Sequence, residues 1–275
     1  MKIDNDSYIG ANNRKSLIDL HLPERPTDEI VLFIHGYKGY KDWGAWHLVQ
    51  NFFLDKGIGF AKLNLSHNGG TIHDPIDFPD LEAFGQNRYT YELIDVESAI
   101  QWLDKKINLS GYSLTLIGHS RGGGIALLSG QLAFVKRIVT WASISSIPDR
   151  FPTGDELARW KKEGVRYVQN GRTKQDMPHY FSFYQDYLEN KDLLNIEKVS
   201  KSLNKLAKNC LHIHGKQDQA VDHNAAFQLA RWTGGESHII KDTGHTFDTK
   251  HPWINKSLPT KMREVCQKTY DFILK

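Results

Sequence analysis

Short, continuous runs of apolar residues recur along the chain and alternate with segments of helical periodicity. The runs cover 29–35, 59–65, 113–117, 137–144, 210–214 and 237–240, and an earlier segment, 16–22, alternates between apolar and polar positions. Short apolar runs are typical of strands buried on both faces. Apolar residues at three- and four-residue spacing predict helices over 91–106, 124–132, 225–232 and 264–274. Because strands that alternate with helices favour parallel pairing, the pattern predicts an α/β protein with a mostly parallel central sheet.

One segment, residues 148–206, breaks this alternation. It is rich in tryptophan, tyrosine and phenylalanine and shows mostly helical patterns, with no convincing strand. An insertion of this kind between two core strands predicts a helical cap over a site, with residues 1–147 and 207–275 forming the core. The alternative is a set of additional helices that cover the edge of the sheet, since aromatic residues commonly belong to a core.

The most specific motif is Gly118-His119-Ser120-Arg121-Gly122, which follows an apolar strand and precedes an apolar helix. This is the pattern of a nucleophile elbow, in which a sharp strand-to-helix turn pushes the serine hydroxyl into a cleft. The flanking glycines are needed because side chains there would clash. The amides and the dipole of the following helix would lie beside an oxyanion formed at Ser120.

A serine hydroxyl needs a base, and the base needs a carboxylate to orient it. His245 follows the last predicted strand, within Asp242-Thr-Gly-His245, and Asp218 follows the strand before it, within His214-Gly-Lys-Gln-Asp218. The chain order Ser120, Asp218, His245 is the order found in α/β-hydrolases. Asp222 and Asp242 are rivals for the acid, each readable as a helix cap or a turn residue.

Two backbone amides are expected to bind the oxyanion. They belong to Arg121, directly after the nucleophile, and to Tyr37, in the loop after the strand that ends at His35-Gly36. His35 and His119 are interpreted as structural histidines. Phe183 and Tyr184 of the aromatic insertion are the candidate substrate-pocket residues.

Charge, hydropathy and cysteine content indicate which partners and which location to expect. The net charge is only +3, and no basic stripe with interleaved aromatic residues occurs, so a nucleic-acid partner is not expected. The N-terminus has no signal-peptide pattern and no run is long enough for a membrane helix, so we expect a cytoplasmic protein without a membrane partner. Cys210 and Cys266 are expected to be buried rather than disulfide-bonded.

Cofactor chemistry is not indicated. His212 and His214 alternate on one strand, and His67, His73 and Asp74 cluster in a loop. Paired histidines alone do not make a metal site without a third ligand at a recognised spacing, so no metal is expected. The glycines around Ser120 lack the Gly-Lys-Ser/Thr sequence of a phosphate-binding loop.

Taken together, the motifs His35-Gly36, 63–69, Gly118 to Gly122, His214 to Asp218 and Gly244-His245 resemble those of the α/β-hydrolase superfamily, over nearly the full chain outside 148–206. More loosely, the chain is similar to small carboxylesterases of the cinnamoyl or feruloyl esterase branch, whose cap lies between the same two strands. It departs from that branch after the strand at 59–65, where it has Asn64, Ser66 and His67.

The resemblance implies an α/β-hydrolase fold and a serine hydrolase that cleaves a carboxylic ester of a small molecule through an acyl-enzyme. Thioester hydrolysis and amide or peptide hydrolysis share the same acylation chemistry and remain alternatives. A non-catalytic small-molecule binding protein on this fold is a further alternative, because a fold alone does not fix a function.

Overall fold

The computed structural model describes all 275 residues and contains ten strands. These are β1 (Lys2–Ile9), β2 (Lys15–His21), β3 (Glu29–Ile34), β4 (Gly59–Leu63), β5 (Ser113–His119), β6 (Val135–Trp141), β7 (Val165–Gln169), β8 (Asp176–Tyr180), β9 (Asn209–Gly215) and β10 (Glu236–Ile240). Eight of them form one sheet in the order β1-β2-β4-β3-β5-β6-β9-β10. Strand β2 pairs antiparallel with both β1 and β4, and the other five pairings are parallel, which confirms the predicted mostly parallel sheet.

Helices cover both faces of this sheet. They are α1 (Trp46–Leu54), α2 (Leu81–Gly85), α3 (Tyr89–Ile107), α4 (Arg121–Leu128), α5 (Gly154–Glu163), α6 (Ser182–Glu189), α7 (Ile196–Lys205), α8 (Asn224–Thr233) and α9 (Thr260–Ile273). Alternate strand residues point to opposite layers: Ile30 and Leu32 pack in the core beneath α3 and α4, whereas Val31 and Phe33 pack in the core beneath α1 and α9. None of these helices combines the length and apolarity needed to cross a membrane.

Strand β1 was not predicted. Its sequence is mostly polar because it forms the edge of the sheet, where one side of the strand has no partner. Asn5 adopts a left-handed conformation with a φ of 52°, and the pairing with β2 shifts register between Ile3 and Asp6. This irregularity removes the alternation that would have indicated a strand.

The insertion, residues 148–206, lies between β6 and β9, as predicted, but it is not purely helical. Strands β7 and β8 form an antiparallel hairpin between α5 and α6, so the expectation of no strand was wrong. The hairpin was hard to recognise because Pro178 lies within β8 and because Tyr167 and Gln169 leave one face of β7 exposed.

The last helix of the insertion has a different role from the rest. Helix α7 packs against α4 and α8, and its Ile196 and Leu203 are buried in the main core. It therefore belongs to the helical layer that packs on a face of the sheet. The preceding part of the insertion, residues 148–189, forms one wall of the cavity described below.

Candidate active site

The predicted triad residues follow three parallel strands of the sheet. Ser120 follows β5, Asp218 lies in the loop after β9, and His245 lies in the loop after β10. Strands β5, β6, β9 and β10 are parallel neighbours, so their carboxyl ends lie along one edge. The sheet topology thereby brings together three side chains that are distant in sequence.

Ser120 occupies a strained turn. Its φ of 56° and ψ of −120° lie outside the usual regions for a residue with a side chain, and helix α4 begins at the next residue. The turn needs its glycines, because a Cβ on Gly118 would lie 2.1 Å from the carbonyl oxygen of Gly122. A Cβ on Gly122 would lie 2.4 Å from the carbonyl oxygen of Ile34. Close backbone packing on both sides therefore fixes the serine at this point.

The three side chains form a continuous hydrogen-bonded chain. Ser120 Oγ lies 2.9 Å from His245 Nε2, and His245 Nδ1 lies 2.7 Å from Asp218 Oδ2. A carboxylate only accepts hydrogen bonds, so Nδ1 carries the proton and Nε2 is left to accept from the serine hydroxyl. This arrangement allows the imidazole to remove a proton from Ser120.

The carboxylate of Asp218 is buried and fully hydrogen-bonded. Its Oδ1 accepts from the amides of Ala220 and Val221 at 2.8 and 3.0 Å, and its Oδ2 also accepts from His214 Nε2 at 3.0 Å. Burial alone would raise the pKa of Asp218, but the hydrogen bonds from His214 and His245 outweigh it and hold the pKa below its usual range. The group is therefore ionised and rigidly held beside His245.

The two rival carboxylates are placed elsewhere. Asp222 is exposed and accepts a hydrogen bond from the amide of Asn224, at the start of α8. Asp242 is exposed in a turn with a φ of 56°. The structure therefore brings Asp218, and neither of the other two, into contact with His245.

Three histidines outside the triad support the loops that carry it. His214 donates to Asp218 and to the carbonyl oxygen of Val221. This role was not predicted, although the position of His214 four residues before Asp218 could have indicated it. His119 Nε2 donates to the carbonyl oxygen of His245 at 2.9 Å. His35 joins two loops, because it donates to the carbonyl oxygen of Gly36 and accepts from the amide of Leu65.

Burial keeps two of these supporting rings neutral. It lowers the pKa of His35 to about 4 and the pKa of His119 to about 3. Near neutral pH each ring is therefore uncharged and keeps one donor and one acceptor nitrogen, which is consistent with a structural role for both histidines.

The proposed oxyanion-binding amides lie on either side of Ser120. Arg121 is the first residue of α4, where backbone amides have no acceptor within the helix. Tyr37 follows Gly36 in the loop after β3, and this loop passes so close to the elbow that a Cβ on Gly36 would lie 2.9 Å from Ser120 Cβ. Both segments therefore lie next to the serine.

Two cavities meet at Ser120 and His245. The larger, of about 520 Å³, is bounded mainly by the insertion, with Phe151, Trp160, Val168 and Phe183 among its lining residues. The smaller, of about 260 Å³, is bounded by the loop after β3 together with Trp46 and His119. A volume of several hundred Å³ beside a nucleophile suits a small-molecule substrate.

One of the two predicted pocket residues lines the larger cavity and the other does not. Phe183 lies in its wall, stacked on Tyr89 with ring centroids 4.8 Å apart. Tyr184, the next residue of helix α6, is absent from the lining and packs behind it, against Phe151 and Tyr187. Adjacent helical residues point about 100° apart, which explains why both cannot face the same space.

The side chain of Arg121 was not anticipated as part of the site. Its guanidinium group lies against the rings of Tyr37, Tyr89 and Phe183, at 4.6, 5.2 and 5.2 Å from their centroids. It also donates to the buried carboxylate of Glu92 at 3.2 Å. Residue 121 is thereby fixed through its side chain as well as through the helix.

A hydrogen bond between half-buried side chains joins the insertion to the loop after β3. The hydroxyl of Tyr37 and Nε2 of His179, on β8, share a bond of 2.7 Å. Burial lowers the pKa of His179 to about 3 and raises the pKa of Tyr37 to about 12, so both groups are neutral over the ordinary pH range.

No cluster of three or more histidine, cysteine, aspartate or glutamate side chains is arranged to hold a metal ion. His212 is enclosed between the hydroxyls of Thr140 and Thr233, at 2.8 and 3.0 Å. His214 is turned toward Asp218, as described above. The alternation of these two histidines therefore serves packing and the triad. Cys210 and Cys266 are both buried and unpaired, as predicted.

Comparisons with known proteins identify the family and the fold of this chain. The model of a family described as the alpha/beta hydrolase family matches residues 31–254. A comparison with curated proteins found no match.

Solved structures with the same fold include three of particular interest. Est1E from Butyrivibrio proteoclasticus, bound to ferulic acid, is 16% identical with a TM-score of 0.69, over 97% of each chain. A soluble variant of monoglyceride lipase from Saccharomyces cerevisiae, in complex with a substrate analog, is 14% identical with a TM-score of 0.73, over 99% of this chain and 95% of the other. Dienelactone hydrolase from Anabaena variabilis is 15% identical with a TM-score of 0.64, over 100% and 97%.

Proposed function

Because this chain belongs to the alpha/beta hydrolase family, we propose that it is a serine hydrolase that cleaves carboxylic esters of small molecules through an acyl-enzyme on Ser120. The observation that carries the proposal is the unbroken chain of hydrogen bonds from Ser120 through His245 to Asp218, which opens into two cavities. Similarity to esterases and to a lipase supports the choice of an ester bond.

In the first half of this reaction, His245 Nε2 takes the proton of the Ser120 hydroxyl as the oxygen attacks the ester carbonyl. The carbonyl oxygen becomes negatively charged and accepts hydrogen bonds from the amides of Tyr37 and Arg121. Asp218 stabilises the imidazolium that forms. The imidazolium then protonates the leaving alcohol, and the acyl group remains on the serine.

In the second half, a water molecule replaces the alcohol. His245 removes a proton from that water, which attacks the acyl carbonyl and passes through a second oxyanion at the same two amides. Collapse of this intermediate returns the proton to Ser120 Oγ and releases the acid. The same residues thus act in both steps, and no cofactor takes part.

The two cavities provide separate spaces for the two halves of an ester, because both reach Ser120 and His245. We assign the part of the insertion from residue 148 to α6 as a cap over the larger space. It contributes residues from the successive elements α5, β7, β8 and α6 to that wall, including Trp160, Val168, His179 and Phe183, and Arg150 before them.

The test is covalent labelling by a fluorophosphonate probe, followed by intact-mass spectrometry and by assay with a p-nitrophenyl ester. The wild-type protein should gain one adduct and hydrolyse the ester, and Ser120→Ala should lose both while remaining folded by circular dichroism. Ser110→Ala, which alters an exposed serine outside the site, is the matched control. An adduct that persists on Ser120→Ala would refute the assignment of the nucleophile. Absence of labelling and of turnover in the wild type would favour a non-catalytic binding protein.

A substrate panel then separates the bond types. An aryl ester, the corresponding thioester and the corresponding anilide share one acyl group and differ only in the atom that leaves. The proposal expects the highest kcat/KM for the oxygen ester among ligands of equal size. A preference for the thioester or the anilide would keep Ser120 as the nucleophile and replace the ester as the substrate class.

A further inference from the structure

The wall of the larger cavity carries an excess of positive charge. Three arginines line it, Arg121, Arg150 and Arg166, whereas its carboxylates are limited to Asp149. The remaining lining residues are mostly apolar or aromatic, together with Ser120 and two histidines. A largely apolar cavity that also contains several guanidinium groups selects for a ligand with an anionic oxygen group.

The charge of Arg121 is already balanced. Its guanidinium group is buried between three aromatic rings and donates to Glu92, whose side chain is only 2% exposed. Burial raises the pKa of Glu92, and the nearby Arg121 opposes that rise. This pair therefore fixes the floor of the cavity beside the elbow, and a ligand anion must be bound by the other two arginines.

Neither Arg150 nor Arg166 is paired with a buried carboxylate. Arg150 donates to the carbonyl oxygen of Ala220 at 3.0 Å, which leaves its charge without a carboxylate. Arg166 lies over the ring of Trp160 and is 3.4 Å from Glu156, whose side chain is 64% exposed. Exposed ion pairs of this kind contribute little free energy, so a ligand anion can compete for both guanidinium groups.

The positive charge of the arginines also affects the pKa values of two neighbouring groups, His179 and Tyr37. His179 lies in the same wall, and its pKa is lowered first by burial and then by Arg121, Arg166 and Lys38. The pKa of Tyr37 is raised by burial, and the same two arginines oppose the rise. Charges on separate elements thus act together at the wall that faces Ser120.

We propose that the preferred substrates of this enzyme carry, besides the ester, an anionic oxygen group that Arg150 and Arg166 bind in the larger cavity. The inference rests on the proposed function for the location of the ester at Ser120. Carboxylate and phosphate both suit the two guanidinium forks, since each presents two or more acceptor oxygens. Arg121 does not take part in binding the anion, because its guanidinium group is occupied by Glu92.

The experiment compares esters that differ only in one negative charge. For an anion on the alcohol side, the pair is 4-acetoxybenzoate and its methyl ester, with 4-acetoxyphenyl phosphate as the phosphate arm. For an anion on the acyl side, the pair is p-nitrophenyl 4-carboxybenzoate and its methyl-capped form. One pair should show a kcat/KM for the anion roughly ten to a hundred times that for the capped ester, the range expected for hydrogen bonds to a charged group. The preference should weaken as salt is added.

Variants assign the preference to residues. Arg150→Gln and Arg166→Gln should each lower the ratio of anionic to capped kcat/KM, and Asp149→Asn should raise it. Arg159→Gln is the control. It also removes one positive charge, but from an exposed position on α5 outside the cavity, so it should leave the ratio unchanged. A ratio near one for both pairs, or an equal effect of Arg159→Gln, would overturn the inference.

A binding measurement separates this inference from the proposed function. Ser120→Ala protein is titrated calorimetrically with 4-hydroxybenzoate, phenyl phosphate and methyl 4-hydroxybenzoate. Tighter binding of either anion than of the neutral ester, lost in Arg150→Gln and Arg166→Gln, supports the anion site even if the wild type cleaves no ester. Fluorophosphonate labelling together with equal binding of all three ligands would leave Ser120 as the nucleophile and refute the anion site.

Discussion

Ser120, Asp218 and His245 are carried by loops at the ends of strands in an eight-stranded sheet, whereas the opposite wall of the cavity is carried by a two-stranded hairpin and two short helices. The first group is held by backbone pairing and by glycine contacts that leave no room for a side chain. The second group is held by aromatic packing, as between Phe151 and Tyr184, and by hydrogen bonds between side chains, as between Thr90 and the buried Asp186.

This difference separates two properties of an enzyme. Catalytic groups must be held to within a fraction of an ångström, which a buried parallel sheet provides. A wall that selects substrates by apolar area and charge tolerates more variation, because each contact there contributes only a small free energy. We therefore expect substitutions in the core loops to remove turnover and substitutions in the insertion to change substrate preference.

The largest expected effect is on the acid of the triad. In Asp218→Asn, the amide donates where the carboxylate accepted, so His245 is held in the wrong tautomer and its Nε2 no longer accepts from Ser120. Turnover should fall by up to about ten-thousand-fold, the loss seen in a related arrangement. The measurement is kcat for a p-nitrophenyl ester, with circular dichroism to show that the variant is folded.

Asp222→Asn and Asp242→Asn are the matched controls for that prediction. Both residues are exposed and neither contacts His245, so their turnover should stay within a few-fold of wild type. If Asp242→Asn were the most damaging of the three and Asp218→Asn retained most of its activity, the hydrogen bond between Asp218 and His245 would not be the catalytic contact.

The same two regions differ in how far the sequence predicts them. Ser120 was predictable because the elbow is a local pattern, in which glycines, strand and helix are adjacent in the chain. His245 and Asp218 were predictable because apolar runs mark strand ends, and the ends of parallel strands meet at one edge. Each of these signals lies within about ten residues of the side chain it identifies.

The wall contributed by the insertion offered no local signal of that kind. Tyr37 and His179 are 142 positions apart, and nothing in either neighbourhood indicates their hydrogen bond. The ion pair of Glu92 with Arg121 depends on how α3 packs beside the elbow. Density of aromatic residues correctly marked the insertion, but it did not distinguish Phe183, which faces the cavity, from Tyr184, which does not.

Phe183 and Tyr184 provide the second prediction. Removing the ring of Phe183 enlarges the larger cavity, so Phe183→Ala should change the ratio of kcat/KM for a bulky aryl ester to that for a short acetyl ester. The change should be roughly tenfold to a few hundredfold, as for alterations of apolar pocket contacts. Fluorophosphonate labelling of Ser120 should persist.

Tyr184→Ala is the control, because it removes a ring of similar size from the same helix at a position that does not line the cavity. Its ester ratio should match wild type. Equal shifts in both variants would mean that the ratio reports loosening of the whole insertion rather than contact of the substrate with Phe183. Residues that line the cavity and residues that pack behind it would then not differ in their effect on substrate preference.

The smallest effect concerns the hydrogen bond between Tyr37 and His179, one of those that join the two regions. Tyr37→Phe removes the hydroxyl that contacts His179 and keeps the ring that lies against Arg121, and His179→Phe removes the other partner. A neutral hydrogen bond contributes about 0.5–1.5 kcal/mol, so each variant should lower kcat/KM by roughly two- to tenfold.

If the bond positions the oxyanion loop, the double variant should be no worse than the single ones, since the second substitution has nothing left to break. The loss should appear in kcat rather than in KM, because the bond holds the amide of Tyr37 and not the substrate. It should also be constant between about pH 5 and pH 9, because the pKa values of about 3 for His179 and about 12 for Tyr37 leave both groups neutral there. Additive losses confined to KM would mean that Tyr37 and His179 act independently on the ligand, and that the insertion does not influence the catalytic loop through this contact.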